Sequence, residues 1–122
     1  MVIAKIHHAN TATEFDTLER CYIKELSNSS NDEQVSIAQA RVEPGITTAW
    51  HKLKEVTERY IITSGQGKVE IEGLQPTDLE TGDVVIIPAD TAQRITNTGS
   101  TDLIFLAICS PRFTPECYIS IE

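Results

Sequence analysis

The stretch GITTAWHKLKEVTERYIITSG, Gly45 to Gly65, decides how this chain is read. Side chains two apart on a strand share a face. His51 and Leu53 therefore point the same way. If Lys54 to Thr57 reverse the chain, Glu58 on the next strand faces His51 across the sheet, and Tyr60 and Ile62 follow on that side. A histidine and a carboxylate converging inside an apolar β cavity are metal-ligand types or an acid–base pair. The same spacing also accommodates a surface histidine beside an exposed glutamate in an acidic loop.

Outward from this stretch the chain is punctuated as a β protein. Cys21 to Leu26 and Val35 to Val42 are short apolar runs separated by the polar Ser27 to Gln34. Pro44-Gly45 marks a tight turn. Glu58 to Thr63 is followed by the turn Ser64 to Gly67, and Lys68 to Glu72 alternates charged with apolar residues. Val84 to Ile87 lies between Thr81-Gly82-Asp83 and Pro88. Arg94 to Thr96, the turn Asn97 to Ser100, and Leu103 to Cys109 complete the pattern. Turn signals about every 8–12 residues between short β-rich runs predict a sandwich or barrel. Only Thr11 to Leu18 reads as a helical turn or two. No internal repeat or linker interrupts residues 1–122, so one domain is expected.

Val84 to Ile87 and Leu103 to Ile108 are apolar at consecutive positions. A strand with one wet face alternates, so these predict cover on both faces. The N-terminal segment, a second sheet or another subunit would supply it, and a homodimer is expected, since two-fold pairing is the commonest oligomeric solution.

Composition narrows the partners. The 122 residues carry ten Lys and Arg against eighteen Asp and Glu, a formal charge of −8. Displacing counterions from phosphates needs a basic stripe, and none is present, so nucleic-acid binding is not expected. No apolar run approaches the ~18–20 residues of a membrane helix. Met1 to Ala9 lacks the apolar stretch and cleavage site of a signal peptide. Cys21, Cys109 and Cys117 form no C-x-x-C pair, so reduced thiols in a cytoplasmic protein are expected. The sequon at Asn28 reads as a chance match in a polar turn.

The spacing of the central stretch resembles the first signature of the cupin superfamily. Gly45, His51, Glu58 and Gly65 fall in register, with Leu53 where a second histidine is usual. The second signature is matched by Gly82, Pro88 and Asn97, with Asp90 at a glycine position and Gln93 at the histidine. The similarity covers about residues 36–109. Residues 93–97 and 108–113 also resemble a subgroup of small cupins labelled by similarity to mannose-6-phosphate isomerase.

The resemblance implies an all-β fold, the cupin double-stranded β-helix, an antiparallel jelly-roll barrel, here with a short N-terminal helical turn. It also implies a divalent metal, manganese, iron, nickel or zinc, held by three histidines and the glutamate. Mapped onto this chain the metal set is His51, Glu58 and Gln93, because Leu53 has no lone pair. One nitrogen and two oxygens make a weakened site. Three uses of the pocket stay open. A metal sits on that set; or His51 and Glu58 transfer protons on a small polar substrate that Gln93 orients; or the pocket only binds or senses a ligand. Isomerase or dioxygenase chemistry on a sugar-like or small carbonyl substrate is what the resemblance implies for an enzyme. Tyr60 is a candidate catalytic residue through its hydroxyl.

Weaker candidates surround these. Trp50 and Arg94 should point away from the cavity, as should Gln39 and Arg41. Cys109 reads as a buried, inert thiol. His7 and His8 face opposite ways on an extended arm, and Arg112 and Phe113 read as a structural tail.

Overall fold

The computed structural model describes residues 1–122. Eleven strands form two antiparallel sheets. In chain order they are β1 (Glu14–Asp16), β2 (Tyr22–Ser27), β3 (Ser36–Val42), β4 (His51–Leu53), β5 (Thr57–Ser64), β6 (Gly67–Ile71), β7 (Thr77–Leu79), β8 (Val84–Ile87), β9 (Gln93–Asn97), β10 (Leu103–Ser110) and β11 (Tyr118–Ser120). One sheet runs β1-β2-β3-β10-β5-β8 and the other β11-β4-β9-β6-β7. Apart from the consecutive β1-β2-β3 and β6-β7, neighbours in each sheet are distant in sequence, as a jelly-roll winding requires. No helix is long and apolar enough to cross a membrane.

Both sheets turn alternate side chains inward. β9 buries Gln93, Ile95 and Asn97; β5 buries Glu58, Tyr60 and Ile62. Thirteen buried residues from the two sheets share one cluster, among them Val42, Ile62, Ile87, Ile95, Leu103 and Phe105. Each such aliphatic side chain contributes roughly 1.5–3 kcal/mol on burial. This packing closes one end of the barrel and leaves His51 and Glu58 nearer the other.

The motif positions have physical reasons. Gly65 adopts φ +85°, and a Cβ there would stand 2.6 Å from the Asp102 carbonyl oxygen, so only glycine fits. Asp90 replaces a motif glycine yet keeps the left-handed backbone, φ 61°. Aspartate tolerates that region better than most residues. Its amide donates to the Leu53 carbonyl at 2.8 Å, tying the β8–β9 turn to β4.

The helical turn is displaced from its expected place. A 3-10 turn occupies Ala9–Thr11, while Glu14–Asp16 within the expected Thr11–Leu18 segment is a strand pairing with β2. The triplet alternates polar, apolar, polar. Phe15 shares the inner face with Ile23, and the Glu14 carboxylate on the outer face meets Arg41 at 2.7 Å. Arg41 and Gln39 lie on that outer face, as expected. Arg41 also reaches Asp102 at 3.2 Å and covers the Tyr22 ring at 4.2 Å.

Cover for the doubly apolar strands is incomplete within one chain. Val85 and Ile87 are buried, but Val84 and Ile86 on edge strand β8 are 59% and 64% exposed. The N-terminal arm does not lie over them. Met1, Val2, Ile3 and Ile6 are themselves exposed, and the arm is tied to the body where Ile3 exchanges hydrogen bonds with the Asn31 side chain.

Candidate functional site

β4, β5 and β9 bring the predicted residues together. His51 pairs directly with Gln93 across β4 and β9. Glu58 projects from β5 in the facing sheet, one inward position before Tyr60. All four side chains are buried.

Gln93 is the hub. Its amide nitrogen donates to Glu58 Oε1 at 2.7 Å, and its amide oxygen accepts from the Tyr60 hydroxyl. The Cys109 thiol donates to Glu58 Oε2 at 3.6 Å. Burial pushes the Glu58 carboxyl above the usual carboxylate range; the Gln93 amide and the nearby His51 pull it back in part. Burial, with the charge of Glu58, also raises the Tyr60 phenol, which packs against Phe105 with ring centroids 4.4 Å apart.

His51 is oriented rather than engaged. Its Nδ1 lies 2.7 Å from the Ala49 carbonyl oxygen, so that nitrogen carries the hydrogen. In the neutral ring the lone pair is then on Nε2. Tyr118 stacks on the ring, centroids 4.9 Å apart and planes 21° apart. Nε2 makes no hydrogen bond; Glu19 Oε1 stands 3.8 Å away, close enough to pair with a protonated ring.

A cavity of about 810 Å³ opens beside these groups, lined by His51 and Glu58 among others. A smaller pocket of about 40 Å³ behind it reaches Tyr60, Cys21 and both His51 and Glu58. The floor is polar. The mouth carries Phe15, Leu18, Phe113 and Tyr118.

These residues do not fit the metal that the family pattern implies. Both ends of the Gln93 amide are engaged within the protein, which leaves its oxygen only the second lone pair to offer while it holds the Tyr60 hydroxyl. Leu53 packs with Val56, Cys109 and Cys117. No three His, Cys, Asp or Glu side chains gather as a ligand group. Gln93 instead holds Glu58 and Tyr60 in place.

Two contributors escaped the sequence reading. Glu19 reaches the site from the β1–β2 loop, where Arg20 takes φ 66° and its guanidinium holds the Thr47 carbonyl at 2.8 Å and the Glu122 carboxylate at 2.7 Å. Tyr118 arrives on β11, which pairs with β4. Neither segment has a periodicity that marks it. The weaker candidates fall outside the reacting groups. Arg94 is 2.6 Å from Glu70 and covers Trp50 at 5.0 Å; His7 and His8 lie on the exposed arm. Arg112 and Phe113 line the cavity mouth rather than forming a mere tail. Cys109 lines the cavity, but burial and Glu58 raise its thiol, and burial pushes Cys21 up to about 12, so neither is a ready nucleophile.

Comparison with known proteins agrees with this architecture. The Cupin domain family matches residues 38–109. An oxalate-binding protein of Thermotoga maritima is 34% identical over 71 residues, 58% of each chain. The match thus spans less than two-thirds of that relative. Among solved structures, KdgF from Halomonas sp. superposes with a TM-score of 0.78 at 16% identity, covering 89% of this chain and 96% of that one. Pac13, a nucleoside dehydratase from Streptomyces, gives 0.82 at 12% identity over 98% and 92%. The S161A mutant of Bacillus subtilis oxalate decarboxylase gives 0.78 at 19% identity over 93% of this chain and 31% of that one. At these identities the solved structures speak to the fold.

Proposed function

The chain belongs to the cupin family, and from that premise we propose that its cavity binds a small polar molecule on which His51 and Glu58 transfer protons without a resident metal. The observation that carries this reading is the unpartnered Nε2 of a buried, tautomer-fixed histidine sharing a cavity with a carboxyl whose proton affinity burial raises. The two groups have opposite roles. Nε2 takes a proton from a substrate C–H or O–H, and Glu19 stabilises the imidazolium. The Glu58 carboxyl gives its proton to a carbonyl or departing hydroxyl oxygen. Gln93 and Tyr60 position Glu58 and do not touch the reacting atoms. Isomerisation, enolisation or dehydration of a hydroxy-carbonyl compound fits this pair. The isomerase side of the family likeness, with a sugar-like substrate, is therefore favoured over a dioxygenase, whose metal the donor set does not serve.

The test is solvent-deuterium incorporation into a panel of small hydroxy-aldehydes and hydroxy-ketones, followed by NMR. Exchange should survive chelation and fall about 100-fold or more in His51→Gln and in Glu58→Gln. Exchange abolished by chelator and restored by manganese, iron, nickel or zinc would return the site to a metal on His51, Glu58 and Gln93. Ligand binding without exchange would make the protein a binding or sensing module, the reading favoured by the name of the oxalate-binding relative.

We infer a homodimer from the uncovered outer face of β8. The first thirteen residues hold Lys5, His7 and His8 and no acid, whereas β8 is flanked by exposed Glu80, Asp83 and Asp90. The arm of a second copy complements that edge in charge and hydrophobicity. Sedimentation should give twice 13.5 kDa, and Ile86→Glu should give the monomer; a wild-type monomer at micromolar concentration overturns it. Three free, buried cysteines suit a reducing, cytoplasmic setting.

A further inference from the structure

The charges around the cavity restrict what enters it. Besides Glu58, the lining includes Glu19, Glu25 and Glu116, with no lysine and only Arg112 as a cation of fixed charge. Arg112 is committed elsewhere. Its Nε donates to Glu33 at 3.3 Å and its NH1 to the Asn28 side-chain oxygen at 3.0 Å. Setting Glu58 aside, three carboxyl groups line the cavity against one guanidinium that Glu33 and Asn28 already engage. Glu19 is half-buried, so its charge is less screened, while Glu25 and Glu116 stand exposed at the rim and act over a range that salt shortens. The acids alone would make no site. The second observation is His51, whose side chain is 8% exposed and whose Nε2 faces the same space with no hydrogen-bond partner. The mouth supplies a different chemistry. Leu18 there is fully exposed and Phe15 47% exposed, beside Phe113. An amphipathic guest would cover them.

We propose that this cavity takes uncharged or cationic small molecules bearing an apolar portion, and rejects anions, oxalate among them. The inference deepens the proton-transfer reading and rests on the same cavity being the ligand site. It departs from the name of the Thermotoga relative. A carboxylate guest would find the one cation of fixed charge already engaged and would lie among like charges, which is a means of exclusion in its own right.

Four probes test it: benzylamine, benzyl alcohol and benzoate, which share one skeleton, and oxalate. Binding to the intact protein is followed at low salt by the NMR shifts of the His51 ring and the Glu58 amide. Benzylamine and benzyl alcohol should perturb both, with benzoate and oxalate at least about tenfold weaker. Glu25→Gln/Glu116→Gln should narrow the gap between benzylamine and benzoate, and added salt should do the same. Oxalate or benzoate binding as tightly as benzylamine overturns the proposal. So does a gap unchanged in the double variant, or no shift from any probe at tens of millimolar. The two readings fail separately. Anion binding with deuterium exchange intact removes only the charge selection. Selective binding with no exchange removes only the proton transfer.

Discussion

Strand β9 carries two buried amides four residues apart, and they serve opposite ends of the barrel. Asn97 sits at the closed end. Its nitrogen donates to the Val42 and Thr101 carbonyls at 2.8 Å each, and its oxygen accepts from the Gly99 amide at 2.9 Å. Every partner is backbone, so Asn97 fixes a turn. Gln93 sits at the open end and bonds side chains only, Glu58 on one side and Tyr60 on the other. A network that ends on backbone is finished. One that ends on a carboxyl and a phenol leaves a protonation state to be set. The difference separates what holds the fold from what is available for chemistry, within one strand and one residue class.

Four substitutions sharpen that contrast. Asn97→Ala should cost the most, about 3 kcal/mol in chemical denaturation, because it strips three hydrogen bonds from the turn and orphans the Val42 carbonyl in the core. Gln93→Leu should cost less, about 2 kcal/mol, since the stranded Tyr60 hydroxyl and Glu58 carboxyl border a cavity that admits water. It should also change the pH profile of any activity, which Asn97→Ala should not. Should Gln93→Leu prove the more destabilising, the division between structural and functional amide fails.

Glu58→Gln should go the other way and stabilise the protein at neutral pH, by less than either loss. Burial holds the folded carboxyl protonated above the range where the unfolded chain releases its proton. The native state then binds more protons between the two values, and stability falls as pH rises through the folded one. Denaturation midpoints measured across that window should decline in the wild type and flatten in Glu58→Gln. The smallest effect belongs to Glu122, which the Arg20 guanidinium and the Trp50 amide hold down to about 2. Its contribution is present above the ordinary carboxylate range and lost as pH falls toward 2. Glu122→Gln should weaken only that acid limb.

Much of this was legible in the residues. The motif spacing singled out His51, Glu58 and Gln93, which the fold brings together from β4 and β9 of one sheet and β5 of the other, and the turn signals located the glycines that the winding needs. The role of Gln93 was less accessible. An amide at a ligand position reads as a weak ligand until its two ends are seen to be taken. Glu19 and Tyr118 were invisible, because a left-handed residue at Arg20 and a three-residue strand set their directions. Glu14–Asp16 was misread for the same reason: three residues are too few for a period, and their strand exists through pairing with β2.

The strand pairing around His51 also sets a schedule. β4 meets β9 at one residue pair, His51 with Gln93, and is held along its other edge by β11, where Ser120 lies opposite His51. A growing chain that has reached Cys109 already contains His51, Glu58 and Gln93, yet lacks the strand that seats the imidazole and the ring that stacks on it. Under the proposed proton transfer, a chain cut before Tyr118 to Ser120 carries the acid without the strand and the ring that aim the base, so its truncation should abolish exchange while leaving Glu58 in place.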